Sequence, residues 1–115
     1  MKAITSERQK EALWVKYLAD QMKEYDKAAF KKVLSTKEGR WFFTRLLDMT
    51  GYKAQSFTGN SQTFYNEGRR AVGIALVSQL ADLLGYEGIK SQQKAEREYV
   101  EFQEQQKMRY WNEEE

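Results

Sequence analysis

No proline occurs among the 115 residues of this chain. Proline fixes its own φ angle and lacks the amide hydrogen that a helix interior needs, so it interrupts helices and marks the loops between them. A chain without it can run through long helices joined by short connections. The sequence therefore predicts an all-α protein. Its length leaves room for one domain, and its hydrophobic content of 41% is enough for a core.

Two residue types that carry much of enzyme chemistry are also missing. Without cysteine there is no thiolate nucleophile and no zinc-thiolate site, and without histidine the usual general base near neutral pH is absent. The carboxylate pairs Glu7/Glu11 and Asp20/Glu24 stand among lysines, where we expect solvated charge. No phosphate-binding loop or nucleophile elbow occurs. We therefore expect a protein that is not an enzyme and holds no metal or cofactor.

The most apolar stretch, Ala71 to Leu84, is interrupted by polar residues such as Asp82. It is shorter than the roughly 20 apolar residues that span a bilayer. The first five residues lack the apolar run of a signal peptide. We expect a protein without a membrane span that is made in a cytoplasm.

Apolar residues recur three or four positions apart along most of the chain, which is the spacing of helices with one buried face. Side chains able to cap a helix precede several of these stripes. Together they predict a small bundle of about five helices. The predicted cap and boundary residues, in chain order, are Ser6 with Gln9, a joint at Tyr25 and Asp26, Ser35 with Glu38, Gly51, Asn60 or Ser61, and Gly85.

Two of these helices should supply most of the core. The third, from Thr36 to about Met49, would bury Phe42, Phe43, Leu46 and Leu47. The fourth, which ends at Gly85, is the most apolar and should be central. Its predicted stripe is Phe64, Val72, Ala75, Leu76, Leu80 and Leu83. Glycine inside a helix costs up to about 1 kcal/mol relative to alanine, so we interpret Gly68 and Gly73 as positions of close packing.

The chain changes character after Gly88. Residues 1–88 form the predicted helical body, with residues 89–115 as a long, polar, helical C-terminal arm. Residues 1–85 hold 14 basic and 9 acidic side chains, whereas residues 86–115 hold 5 basic and 8 acidic ones. This asymmetry indicates either two surfaces for different partners or ordinary solvated helix faces.

Two arrangements of the C-terminal arm remain open. It can pack on its own body, or it can gain order from a neighbouring copy or another protein. Its apolar stripe is thin, and isolated helices of this length are marginal in water. The aromatic residues are the candidate partner contacts, since aromatic side chains often anchor interfaces. They are Tyr99, Phe102, Tyr110 and Trp111.

A cluster of basic residues surrounds the predicted loop at residues 50–60. It consists of Arg40, Arg45, Lys53, Arg69 and Arg70, interleaved with aromatic residues. Arginine side chains that contact phosphates, beside aromatic rings on which bases can stack, are one way to bind a nucleic acid through its backbone or as a single strand. The other interpretation is that Arg69 and Arg70 pair with Glu67, Asp48 or Glu38 of the same chain while the aromatic residues lie in the core. For the adjacent Arg69 and Arg70, we expect one to bind the loop or a carboxylate and the other to be free.

Between residues 36 and 82 the sequence carries short motifs in a fixed order. They are Gly39-Arg40 before Trp41-Phe42-Phe43, Leu46-Leu47, Gly51, the loop Ser56-Phe57-Thr58-Gly59-Asn60-Ser61, Phe64-Tyr65 and Gly68-Arg69-Arg70. In this order they resemble a family of small virion-associated proteins of short-tailed bacteriophages (podoviruses), first named from a Bordetella phage. Within the motifs we expect Phe57, Gly59, Asn60 and Gly68 to be structural, with Phe57 filling the body and Asn60 capping the next helix.

The resemblance implies a non-enzymatic structural protein that is made in the bacterial host cytoplasm and carried in the virion. We expect it near the portal, binding portal or ejection and tail proteins, in a homo-oligomeric ring. The backbone of packaged DNA is a further expected contact. The alternative is a phage protein outside the virion that binds nucleic acid or a host factor during infection.

Overall fold

A computed structural model of the chain describes residues 6–54, 59 and 62–114. This part contains α1 (Glu7–Leu34), α2 (Lys37–Thr50) and α3 (Gln62–Glu114). The prediction of an all-α fold with a long C-terminal helix is confirmed. The predicted count of about five helices is wrong: the described residues form three, because one predicted boundary lies within the unbroken α1 and another is a kink within α3.

The first of these boundaries is the joint expected at Tyr25 and Asp26, through which α1 continues without a break. Neither residue prevents helical geometry, and no glycine lies nearby to favour a turn. The beginning of α1 is as predicted. The Gln9 amide donates to Ser6 Oγ at 3.1 Å, and the Ser6 amide donates to Gln9 Oε1 at 2.9 Å, which completes the capping box.

A tight corner joins α1 to α2. Ser35, predicted to cap α2, instead ends α1, where its amide donates to the Lys32 carbonyl oxygen at 3.2 Å. Thr36 is the cap of α2, and its Oγ1 accepts from the Gly39 amide at 3.0 Å. A Cβ at Gly39 would collide with the Val33 carbonyl group, so this corner needs glycine. At the other end of α2, Gly51 has φ 65° and closes the helix as predicted.

The second predicted boundary, at Gly85, is a sharp break inside α3. Gly85 has φ 59° and ψ −137°, a backbone conformation that is open to glycine and strained for other residues. It divides α3 into a first limb (residues 62–84) and a second limb (residues 86–114). Tyr52, just after α2, contacts both limbs, because it lies against Gly73 and hydrogen-bonds Gln92. The end of α2 therefore lies between the two limbs.

The core lies where the three helices meet. Leu34, Phe43, Leu47 and Leu80 are buried together, with Phe30 packed edge-on against Phe43 at 6.2 Å between ring centroids. Other residues expected in the core are exposed instead. They are Phe42, Leu46, Phe64, Val72 and Ala75. The short α2 turns one narrow stripe towards the core, so its other apolar side chains face outwards.

The molecule is far from compact. Its Cα radius of gyration is 20.6 Å, against about 13 Å for a globular chain of this length. Its accessible surface is 9448 Å², against about 6,600 Å² for a compact monomer of this mass. A projecting segment contributes to both values, since every residue from 6 to 29 is exposed. We call residues 7–29 of α1 the N-terminal arm.

The predicted C-terminal arm contacts the rest of the chain over part of its length. Ala95 is buried, and Glu96, Glu98 and Tyr99 bond to residues of α2 or of the segment that follows it. In its middle, the C-terminal arm therefore packs on its own body, which is the first of the two arrangements that the sequence left open. The division of the chain at residue 88 stays a prediction.

One helix passes a test for membrane-spanning segments based on length and composition. Residues Gln62–Asn112 contain an 18-residue window with a mean hydropathy of 1.2, of which 17% is buried. Core helices of soluble proteins pass the same test, and this helix is broken at Gly85. The absence of a membrane span therefore stays an expectation.

The two glycines inside the first limb predict opposite mutational effects. A Cβ at Gly73 would lie 2.6 Å from Tyr52 Cβ and closer still to Thr50 Oγ1, whereas a Cβ at Gly68 would meet nothing within 4 Å. Gly73→Ala should destabilise the protein by about 1–3 kcal/mol through overpacking. Gly68→Ala, the matched control, should be neutral or stabilise by up to about 1 kcal/mol. Chemical denaturation of both variants checks this, and equal effects would contradict it.

Candidate interaction surfaces

A buried ion pair connects all three helices. Arg40 of α2 is 8% exposed, and its Nε and Nη2 donate to the two carboxylate oxygens of Glu98 at 2.6 and 3.1 Å. Its Nη1 donates to the Leu34 carbonyl oxygen at the end of α1 at 3.0 Å. Arginine suits this position because its planar group binds a carboxylate through two parallel hydrogen bonds.

The ion pair shifts the pKa of each partner in the direction that favours its charged form. The hydrogen bond from Arg40 holds the pKa of Glu98 below its ordinary value, against the opposing effect of burial. The same bond raises the pKa of Arg40. Both groups are therefore charged at neutral pH. Removing either one would leave its partner partly buried without a counter-charge.

Tyr52 is the centre of a second polar network. Its hydroxyl donates to Glu96 Oε1 at 2.7 Å and accepts from Gln92 Nε2 at 3.3 Å. Lys53 Nζ lies 3.0 Å from the same Glu96 oxygen. On the first limb, Arg70 Nε donates to the Tyr52 carbonyl oxygen at 3.0 Å. This network fixes the segment after α2 to both limbs of α3.

Glu96 is charged within this network. Burial alone would raise its pKa, but hydrogen bonds from Tyr52 and Lys53 outweigh burial and lower it. Burial and the hydrogen bond to Glu96 raise the pKa of the Tyr52 hydroxyl, which stays protonated. A cleft of about 370 Å³ borders these side chains. The charged side chains described in its wall, Asp48, Lys53 and Glu96, are each paired within the chain.

Most of the predicted basic contacts are bound within the chain. Arg40 pairs with Glu98, Lys53 with Glu96, and Arg70 with the Tyr52 carbonyl group. Arg45 is exposed and donates to the Tyr99 hydroxyl at 3.0 Å, with Asp48 at 3.4 Å. These four side chains are held within the chain, but not as the second interpretation expected, since Arg70 binds the Tyr52 carbonyl group and not a carboxylate.

The adjacent arginines differ in their surroundings. Arg70 is half-buried against the segment after α2, whereas Arg69 is exposed, with its guanidinium 5.6 Å from the centroid of the Tyr65 ring. Of the five predicted basic contacts, Arg69 alone makes no hydrogen bond or ion pair with a described residue, although its guanidinium also lies beside Gly51. The partners Glu96 and Glu98 were not foreseen. The signal that could have found them is the opposite net charge of residues 1–85 and 86–115.

The predicted aromatic contacts also divide into two groups. Tyr99 and Phe102 pack against Trp41, with ring centroids 5.2 and 4.8 Å away. Tyr110 and Trp111 pack on each other at 5.4 Å and are exposed near the end of α3. Tyr99 and Phe102 therefore hold the second limb to α2, and the second group is available for a partner.

The predicted loop motif is described only in part. Phe57 and Asn60 lie outside the described residues. Gly59 has φ 79°, in the left-handed region that favours glycine, which agrees with a structural position. Gly68 has no neighbour that a side chain would meet, so it is not the packing position that we expected.

The largest feature that the sequence did not predict is apolar and exposed. The N-terminal arm was expected to bury its apolar stripe, but all of it faces solvent. Its large apolar side chains are Leu13, Trp14, Val15, Tyr17, Leu18, Met22 and Tyr25. An apolar groove of about 290 Å³ lies where the arm meets the body, with Val33 of α1, Phe42 and Leu46 of α2, and Leu76 of α3 in its wall.

No cluster of metal-ligating side chains appears in the region that the structure covers. Among residues 6–54, 59 and 62–114, no three acidic side chains lie together in a way that could hold a metal ion. The accessible features are the apolar arm and groove, the exposed aromatic pair at the end of α3, and Arg69.

The lowered pKa of Glu98 predicts a loss of stability in acid. The unfolded carboxyl has a pKa near 4.5 and the folded one lies lower, so the stabilisation is complete above pH 4.5 and is lost as the pH falls through the folded pKa. Glu98→Gln should cost about 2 kcal/mol at pH 7 and flatten the acid decline. Thermal melting across the acid range measures both effects. Glu101→Gln, at an exposed carboxylate on the same limb, is the control and should change neither.

Comparison with known proteins identifies the family but adds no solved relative. No significant match was found to a curated protein or to a solved structure. A family model described as Bbp19-like phage protein matches residues 30–87, which is half of the chain. The matched stretch includes all of the motifs on which the phage resemblance rested, together with α2 and the first limb of α3. The chain therefore belongs to the Bbp19-like family of phage proteins.

Proposed function

We propose that the protein is a non-enzymatic structural component of the phage particle that works as an oligomer and binds other virion proteins. Membership of a phage protein family supports the phage setting. The observation that carries the proposal is the surface of the single chain, which is about 2,900 Å² larger than that of a compact monomer of the same mass. Surface of this extent, rich in apolar side chains, is typical of a subunit that is completed by its neighbours.

The arrangement of charge favours protein partners over DNA. Arg40, Lys53 and Arg70 are bound within the chain, so they add little to a continuous basic surface. DNA-binding surfaces neutralise several phosphates at once. Arg69 beside Tyr65 is left as a single contact to the backbone of packaged DNA.

Within the particle we propose a position near the portal, as part of the portal-proximal, ejection or tail machinery. The aromatic pair Tyr110–Trp111, exposed near the end of α3, is the proposed contact to a portal or ejection protein. Aromatic side chains on an otherwise polar helix supply much of the binding energy in such contacts. A ring of copies that follows the symmetry of the portal would present this pair repeatedly.

Quantitative mass spectrometry of purified particles tests the proposal. We expect several copies per particle, at a fixed ratio to the portal protein. The control is a phage protein made during infection but not packaged, which should be lost on purification. Absence of this protein from particles would contradict the proposal and favour a protein outside the virion that binds nucleic acid or a host factor.

Removal of the aromatic pair tests the contact itself. Particles carrying Tyr110→Ala with Trp111→Ala should contain several-fold fewer copies, because the exposed rings would no longer bind a virion partner. The matched control is Tyr86→Ala, at a more exposed aromatic residue on the same helix, and it should leave the copy number unchanged. An unchanged copy number in the Tyr110/Trp111 variant would remove this surface from the proposal.

A further inference from the structure

The apolar stripe of α1 has a spacing that is symmetric about its own midpoint. Its members are Trp14, Leu18, Met22, Tyr25, Ala29 and Val33, separated by four, four, three, four and four residues. Reading the stripe from either end gives the same intervals. A helix carrying such a stripe can pair with an identical helix in the opposite direction with every member facing another member.

The stripe lies along one face of α1 with little supercoiling. Trp14 and Tyr25, Leu18 and Ala29, and Met22 and Val33 are each 11 residues apart. This repeat corresponds to about 3.67 residues per turn, close to the 3.6 of a straight helix. Two helices can therefore lie side by side over about 28 Å, the length from the first member to the last.

We propose that a second copy of the same chain covers this stripe, forming a two-fold symmetric dimer with antiparallel α1 helices. The inference rests on the proposed function, in which the protein works as an oligomer. It identifies the first partner of each subunit as a second copy of the chain. The symmetry brings Trp14 opposite Val33 of the second copy, Leu18 opposite Ala29, and Met22 opposite Tyr25. Two of these pairs set a large side chain against a small one, which permits close packing.

The same symmetry fills the groove at the base of the arm. Trp14 of one copy reaches the Val33 position of the other, beside Phe42 and Leu46, which line the groove of about 290 Å³. By the two-fold axis this contact occurs twice. Each arm therefore lies on the body of the other copy, and the interface uses one surface of the chain against itself.

The exposed apolar area approaches what a dimer requires. Trp14, Tyr25 and Phe42 are 53%, 77% and 66% exposed; at about 200 Å² for an aromatic side chain they leave roughly 400 Å² uncovered. The aliphatic members of stripe and groove bring this area towards the roughly 800 Å² that each partner contributes to a stable interface. A partner with an unrelated surface would not need a symmetric stripe, so the second copy is the occupant that these observations favour.

The dimer also defines how a ring could be built. A two-fold interface closes on itself, so it joins two subunits and no more. A larger ring of this protein would then be assembled from dimers, through a second surface such as the exposed end of α3.

Sedimentation equilibrium of the full chain gives the first test. We expect a dimer of twice the 13.6 kDa chain mass. Leu18→Lys should weaken dimerisation at least about tenfold, because it buries an unpaired charge in the stripe. The matched control is Leu13→Lys on the same arm. Leu13 is 63% exposed, against 41% for Leu18, and it lies about 140° away from Leu18 around the helix. The control should dimerise like the wild-type chain, and circular dichroism should show equal helix content in both variants.

Cross-linking tests the direction and register of the pairing in a chain that has no cysteine of its own. Leu18→Cys combined with Ala29→Cys should give a dimer on oxidation, visible on a non-reducing gel. The two positions lie about 16 Å apart in one helix, too far for a bond within the chain. Leu13→Cys combined with Glu24→Cys has the same separation on another face and should remain uncross-linked.

Three results would overturn the inference: a monomeric wild-type chain, equal effects of the two lysine variants, or a larger oligomer without the cross-link between positions 18 and 29. None of them bears on the presence of the protein in particles, which mass spectrometry decides separately. Conversely, a cross-linked dimer that is absent from particles would contradict the proposed function and leave the pairing intact.

Discussion

The Arg40–Glu98 pair is the interaction on which the arrangement of the helices depends. The body has a small core, with four buried apolar side chains in its central cluster, so apolar packing alone leaves the helices weakly held. Arg40 binds Glu98 on the second limb of α3 and the carbonyl group that ends α1. One guanidinium group thereby fixes the direction of all three helices. The geometry is specific because both carboxylate oxygens are used.

Local features of this fold could be predicted from the sequence. The capping box of Ser6 and Gln9, the cap at Gly51 and the break at Gly85 each depend on residues within a few positions. The joint at Tyr25 and Asp26 failed because an acidic residue can cap a helix or lie within one, and the sequence around it does not decide between these. Ser35 and Thr36 can both cap α2, and the choice depends on where α1 ends.

The interaction surfaces were harder to predict, since they depend on contacts between distant residues. Arg40 and Glu98 are 58 positions apart, and Tyr52 and Glu96 are 44 apart. Both contacts depend on the break at Gly85, which brings the second limb of α3 against α2 and the segment after it. The sequence indicates the basic cluster and its opposite charge in residues 86–115, but it cannot pair individual side chains. Nor can it show that the apolar stripe of α1 lies outside the body, because a helical stripe looks the same whether its own chain or another one covers it.

The position of Glu98 shows how the stretch that matches the family relates to the rest of the fold. The matched stretch ends at residue 87, whereas the carboxylates that hold α2 in place, Glu96 and Glu98, follow it. The matched stretch is therefore shorter than the part of this chain that packs together. A fragment that ends at residue 87 would keep the motifs around Arg40 and lose the carboxylate that neutralises its charge. The second limb of α3 thus belongs to the folded unit, although it lies outside the matched stretch.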